Sequence, residues 1–96
     1  MKRDETDLQR ALGRLLTAIQ SEEMRALGTP WWSDTHAALR RAEALYWAAK
    51  RGRLQAAMGA RSPRDYLGHD WLSRHPRILP ALQDLETHLQ DFARQA

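Results

Sequence analysis

The side chains with the widest chemical repertoire in this 96-residue chain are its four histidines, His36, His69, His75 and His88. A metal site on a helix needs ligands at i and i+3 or i+4, as in the HExxH arrangement, and no two of these histidines have that spacing. His69-Asp70 with His75 makes a loose cluster. Zinc needs three or four well-placed ligands, and with no cysteine in the chain no thiolate can serve. No metal and no cofactor is therefore expected. His36 falls in a first helical turn, where a phosphoaccepting histidine could stand. The glycine and lysine pattern that should accompany one is missing from His36-Ala37-Ala38-Leu39-Arg40-Arg41. Nucleophilic catalysis has no supporting pattern either: there is no cysteine, no Gly-x-Ser-x-Gly elbow and no glycine-rich phosphate loop. The carboxylate pairs Glu22-Glu23 and Asp84 with Glu86 sit on what periodicity reads as polar faces, where solvation is the ordinary fate of charge. The expectation is a protein that is not an enzyme.

Tryptophan and arginine carry the recognition chemistry. Four tryptophans is a high number for this length, and tryptophan is enriched in binding hot spots. Helical spacing sets Trp47 among Arg40, Glu43, Lys50 and Arg51, with Arg53 just beyond. A ring so surrounded can stack on a nucleobase or anchor a protein interface. Large aromatics more often serve a core, so Trp47 is expected to pack beneath the third helix with the arginines outside. Trp31 and Trp32 lie between a helix stop and a helix cap. One of them can staple the chain onto the following helix, and the other is harder to bury in a short loop. Exposed contacts are accordingly expected of the Trp31-Trp32 pair and the neighbouring arginines. The candidate partner-binding set is Trp31, Trp32, Arg40, Trp47, Lys50, Arg51 and Arg53.

Charge supports association. The net charge is +3, and its excess lies in the middle: residues 33–77 hold nine basic against four acidic side chains, a net of +5. Such a patch attracts nucleic acid or an acidic protein surface, although arginines also simply solvate helix faces. The hydrophobic share of 43% beside 28% charged residues is that of a globular protein. No stretch approaches the roughly 18 apolar residues of a membrane span, and the residues after Met1-Lys2-Arg3 lack the apolar run of a secretory signal. A cytoplasmic protein is expected, and the wealth of alanine, leucine and arginine suggests a GC-rich bacterial or phage gene.

Apolar residues recur at helical spacing and none alternate with period two, which predicts an all-α bundle of about four helices over residues 7–27, 34–58, 63–74 and 77–93 in one domain. In the first, Leu8, Leu12, Leu15 and Ile19 form a stripe widened by Ala11 and Leu16. Thr6 or Asp7 can cap its start, and Gly28-Thr29-Pro30 is a stop. The second begins at the caps Ser33 or Asp34 and is apolar on two sides. Leu39, Ala42, Leu45, Tyr46 and Ala49 share one face, and Trp47, Leu54 and Met58 share another if the helix passes through Gly52. The third opens on Ser62-Pro63-Arg64-Asp65, a capping hydroxyl before a first-turn proline with an acid three residues on, and stops before Pro76. In the fourth, Ile78, Leu82, Leu85, Leu89 and Phe92 make a narrow seam, with Pro80 tolerable only in the first turn. The first and last helices are natural partners, directly or across the middle helix.

Around Gly52, Ala48 with Leu54 and Met58 has the small residue and turn glycine of a helix-turn-helix, but Arg61 stands near where its next apolar position should fall. Ala48–Leu54 also resembles one ankyrin helix pair, with no repeat to stack on. These features lead to a non-enzymatic interaction protein, an adaptor, inhibitor or regulator that binds another protein or itself as a homodimer. The alternative is a nucleic-acid-binding regulator that uses the central basic helix. No membrane partner is expected.

Overall fold

The computed structural model describes residues 3–95, and the side chains of residues 7–91. It is all-α, with no strand among the described residues: α1 (Arg3–Ala26), α2 (Trp32–Lys50), α3 (Leu54–Met58), α4 (Pro63–Leu67), α5 (His69–Ser73), a 3-10 turn over Pro76–Ile78 and α6 (Leu79–Gln95). No helix among the described residues is long and apolar enough to cross a membrane.

The spine is α1. Leu8, Ala11, Leu12, Leu15 and Ile19 are buried, and Leu16 and Ala18 are partly buried beside them. That stripe is wide enough to serve two neighbours, and α1 packs against both α2 and α6. Contacts fix the directions. Glu23 meets His36 and Gly13 lies against Tyr46, so α1 and α2 are antiparallel. Glu22 meets His75 and Arg14 meets Asp84, so α6 is antiparallel to α1 as well. The helices α2 and α6 therefore run parallel on either flank of α1. The first and last helices do pack directly on each other. Leu39, Ala42, Leu45 and Ala49 of α2 close the core from one side; Ile78, Leu82 and Leu85 close it from the other. The side chain of Phe92 lies outside the described residues.

Local chemistry sets the boundaries, and several differ from expectation. Helix α1 already includes Arg3, so Thr6 and Asp7 lie inside it rather than capping it. Helix α2 starts at Trp32, ahead of Ser33 and Asp34, and has no side-chain cap. A turn closed by Trp32 N–H on the Thr29 carbonyl (3.3 Å) rolls straight into the helix, which leaves Asp34 in the first turn where the helix dipole favours it. The expected run to residue 58 is broken at Lys50. Arg53 N–H donates to the Ala48 carbonyl (2.8 Å) and Gly52 N–H to that of Ala49 (3.1 Å), with Gly52 at φ +69°. These two bonds are the Schellman termination, and they turn the chain so that α3 folds back on α2 with Leu54 and Met58 buried.

The expected helix over 63–74 is two helices. Its start is as read: the Ser62 hydroxyl accepts from Asp65 N–H at 3.2 Å and Pro63 occupies the first turn. Gly68, at φ +105° and ψ +121°, divides α4 from α5 in a conformation closed to other residues. The split lets Leu67 and the Trp71-Leu72 pair all reach the core. Arg64 grips Glu86 with two hydrogen bonds (2.7 and 3.1 Å), and Arg41 donates to the Leu67 carbonyl (3.3 Å), so α4 ties α6 to α2.

Candidate interaction surfaces

The four tryptophans have three different environments. Trp71 is core: it is buried, its indole N–H donates to the buried Thr35 hydroxyl (3.2 Å), and the His75 ring stacks on it at 4.4 Å. Trp32 is partly buried and stacks on His36 at 4.8 Å, while Glu23 holds the His36 Nδ1 at 2.6 Å. Trp31 is 57% exposed and Trp47 is 53% exposed. The expected burial of Trp47 is thus corrected. Because α2 ends at Lys50, the face that Trp47 was to share with Leu54 and Met58 does not exist. Those two residues fold inward on α3, and Trp47 stays on the outer side of α2.

Trp31 and Trp47 stand at opposite ends of α2, separated by about 24 Å of helix axis. The predicted residues therefore divide between two surfaces. At one end, Trp31 follows Met24 (70% exposed) and Leu27 (57% exposed) around the α1–α2 turn. Met24 and Leu27 were missed by sequence reasoning. The signal was available, since both fall outside the Leu8–Leu12–Leu15–Ile19 stripe when the helical period is carried forward.

At the other end, the Tyr46 ring meets Trp47 edge-on at 5.6 Å, and the Lys50 ammonium lies 5.2 Å from the first ring and 5.5 Å from the second. Beside Trp47 a shallow groove of about 330 Å³ runs between α2 and α3. Ala44, Ala48, Ala56 and Ala57 form its floor, and Arg51 and Arg53 its rim. Arg40 lies on the same outer side of α2, with Glu43 3.8 Å away. Lys50, Arg51 and Arg53 have no carboxylate within 4 Å among the described residues. The alanine floor had no signal in the sequence, because it needs α3 folded against α2.

Each histidine is paired with a carboxylate: His36 with Glu23, His69 with Asp65, His75 with Glu22 and His88 with Asp84. Among the described residues no three histidine, aspartate or glutamate side chains are grouped to hold a metal ion. Glu22 corrects the reading of a solvated pair, because it is 8% exposed. It continues the buried stripe of α1 one turn past Ile19. Burial pushes its carboxyl up, but the hydrogen bond and charge of His75, followed by those of Arg25 (2.7 Å), outweigh burial and hold it below the ordinary value. The arrangement ties α1 to the segment before α6. The chain matches no protein-family model, no curated protein and no solved structure.

Proposed function

We propose that this chain is a protein-binding module, an adaptor or regulator that acts by docking rather than by catalysis. The observation that carries this reading is the set of large apolar side chains left outside an otherwise closed core: Trp31, Met24 and Leu27 at one end of the bundle and Trp47 at the other. Removing such side chains from water on association supplies binding free energy, and tryptophan is among the residues enriched in hot spots. A photo-crosslinking amino acid at position 24, 31 or 47, used in the native host, should capture a discrete protein. Substituting Trp31→Ala with Met24→Ala, or Trp47→Ala alone, should weaken that complex at least tenfold without unfolding the chain. Capture of nothing at all three positions, with a monomer by light scattering, overturns the reading. Self-association at the same positions makes the partner a second copy.

A second reading, a nucleic-acid-binding regulator, draws on Trp47 near Lys50, Arg51 and Arg53, which have no carboxylate within 4 Å among the described residues. Its mark is binding that falls steeply with salt as phosphate contacts release counterions. Neutralising Arg40, Arg51 and Arg53 together should weaken it uniformly. The absence of a gel shift at low salt with duplex and single strands removes it.

A further inference from the structure

The groove between α2 and α3 has a floor and a rim of different chemistry. The small side chains of its lining are those of Ala44, Ala48, Ala56 and Ala57, and the charged ones are those of Arg51 and Arg53. Ala44 and Ala48 are one turn apart on α2, and small side chains at that spacing let another helix approach closely. On the same outer side, Arg40 precedes Ala44 by about one turn. It stands about 16 Å along the axis from Arg51. Arg51 and Arg53 thus make one end of the groove cationic, and Arg40, outside its lining and 3.8 Å from Glu43, adds a partly balanced cation farther along α2.

We propose that this groove receives an amphipathic helix of a partner protein, with apolar side chains on the alanine floor and carboxylates set about three turns apart against Arg40 and the Arg51–Arg53 pair. The proposal rests on the protein-binding reading and names the chemistry of one partner. Charge complementarity selects an acidic helix, since Arg51 and Arg53 have no carboxylate within 4 Å among the described residues. Trp47, 53% exposed and next to Ala48 in the chain, offers further apolar surface to such a helix. A nucleic acid is the poorer fit. An alanine floor offers no hydrogen bond to a base edge, and Trp47 is one stacking platform where strand binders use several.

The test uses the full chain and a displayed library of 18-residue helical peptides. Leucine is fixed at i, i+3, i+4 and i+7, and the flanking positions are drawn from Asp, Glu, Lys and Arg. Survivors should be enriched in acidic flanks. Their affinity should drop at least tenfold on Arg51→Glu with Arg53→Glu and recover with peptides of reversed charge. Ala56→Trp, which fills the groove from an exposed position, should abolish binding, while Arg77→Glu, remote from the groove, should not. Circular dichroism confirms that each variant is folded. No survivors, survivors without acidic bias, or survivors indifferent to Ala56→Trp overturn the proposal. So does a dT15 oligonucleotide that binds and is lost on the same substitutions. If crosslinked host partners depend on Trp31 and Met24 but ignore the groove variants, protein binding stands and the groove proposal alone fails.

Discussion

Replacing Trp71 and Trp47 in turn by alanine separates the core tryptophan from the surface one. A buried aromatic removes about 150–250 Å² from water, which at about 25 cal/mol per Å² is about 4–6 kcal/mol as an upper bound. Trp71 is only 4% exposed, so Trp71→Ala should cost about 3–5 kcal/mol, the usual range for a large-to-small change with its cavity. Loss of the indole donor also leaves the fully buried Thr35 hydroxyl without its partner. Thr35→Val isolates that bond and should cost about 1 kcal/mol. Trp47→Ala removes a ring already half in water and places the best helix former in α2, a gain of roughly 0.5 kcal/mol. Its net effect should be within about 1 kcal/mol. Urea denaturation followed by far-ultraviolet circular dichroism reads the difference. With a slope near 2 kcal/mol/M, Trp71→Ala should lower the midpoint by roughly 2 M and Trp47→Ala by less than about 0.5 M. Domains of this size are stable by about 5–15 kcal/mol, so Trp71→Ala should leave a marginal protein. A Trp47→Ala shift as large as that of Trp71→Ala refutes the placement of Trp47 on the outer side of α2.

Acid should destabilise the fold in part through Glu22. Its folded carboxyl is held below the ordinary value of 4.5, so its contribution is complete above that value and is lost as pH falls through the folded one. Denaturation midpoints of wild type and Glu22→Gln should differ at neutral pH and converge in acid; parallel profiles throughout contradict the assignment. Gly68→Ala should cost about 1–3 kcal/mol from backbone strain alone, because a methyl group there meets nothing within 4 Å; an unchanged thermal midpoint argues against the break between α4 and α5. Gly13→Ala should instead stabilise by about 1 kcal/mol, since its methyl would sit 3.7 Å from the Tyr46 ring in ordinary contact, and a loss of stability would place α2 closer to α1 than described.

The all-α class and the long helices were legible because Leu8, Leu12, Leu15 and Ile19, or Ile78, Leu82 and Leu85, repeat at the helical period, and burial follows that period. The Ser62-Pro63 start was legible because a cap acts over three residues. Where the reading failed, the deciding interaction was a choice between local alternatives. Gly52 suits a helix end and is tolerated within a helix, and only the folding of Leu54 and Met58 onto the core selects the end. Gly68 was read as helical because its neighbours are, whereas Leu67 and Trp71 reach the core only if the chain turns between them. The exposure of Trp47 follows from the same choice at Gly52, which the sequence left open. Glu22 has the spacing of a core residue and the chemistry of a surface one, and its resolution depends on His75, 53 positions away. The groove has no counterpart in sequence, since four alanines become a surface only when α3 lies beside α2.

The position of α1 between α2 and α6 has a consequence for biosynthesis. A ribosome releases α1 first, and α2 can close one of its flanks within seconds. The other flank waits for α6, and Arg14 meets Asp84, 70 positions further along the chain. At translation rates of 5–20 residues per second that interval is about 4–14 s. Throughout it, part of the leucine stripe that later forms the centre of the molecule faces solvent or a chaperone. Vectorial synthesis therefore cannot complete this bundle piece by piece, and closure must come late, as one cooperative event.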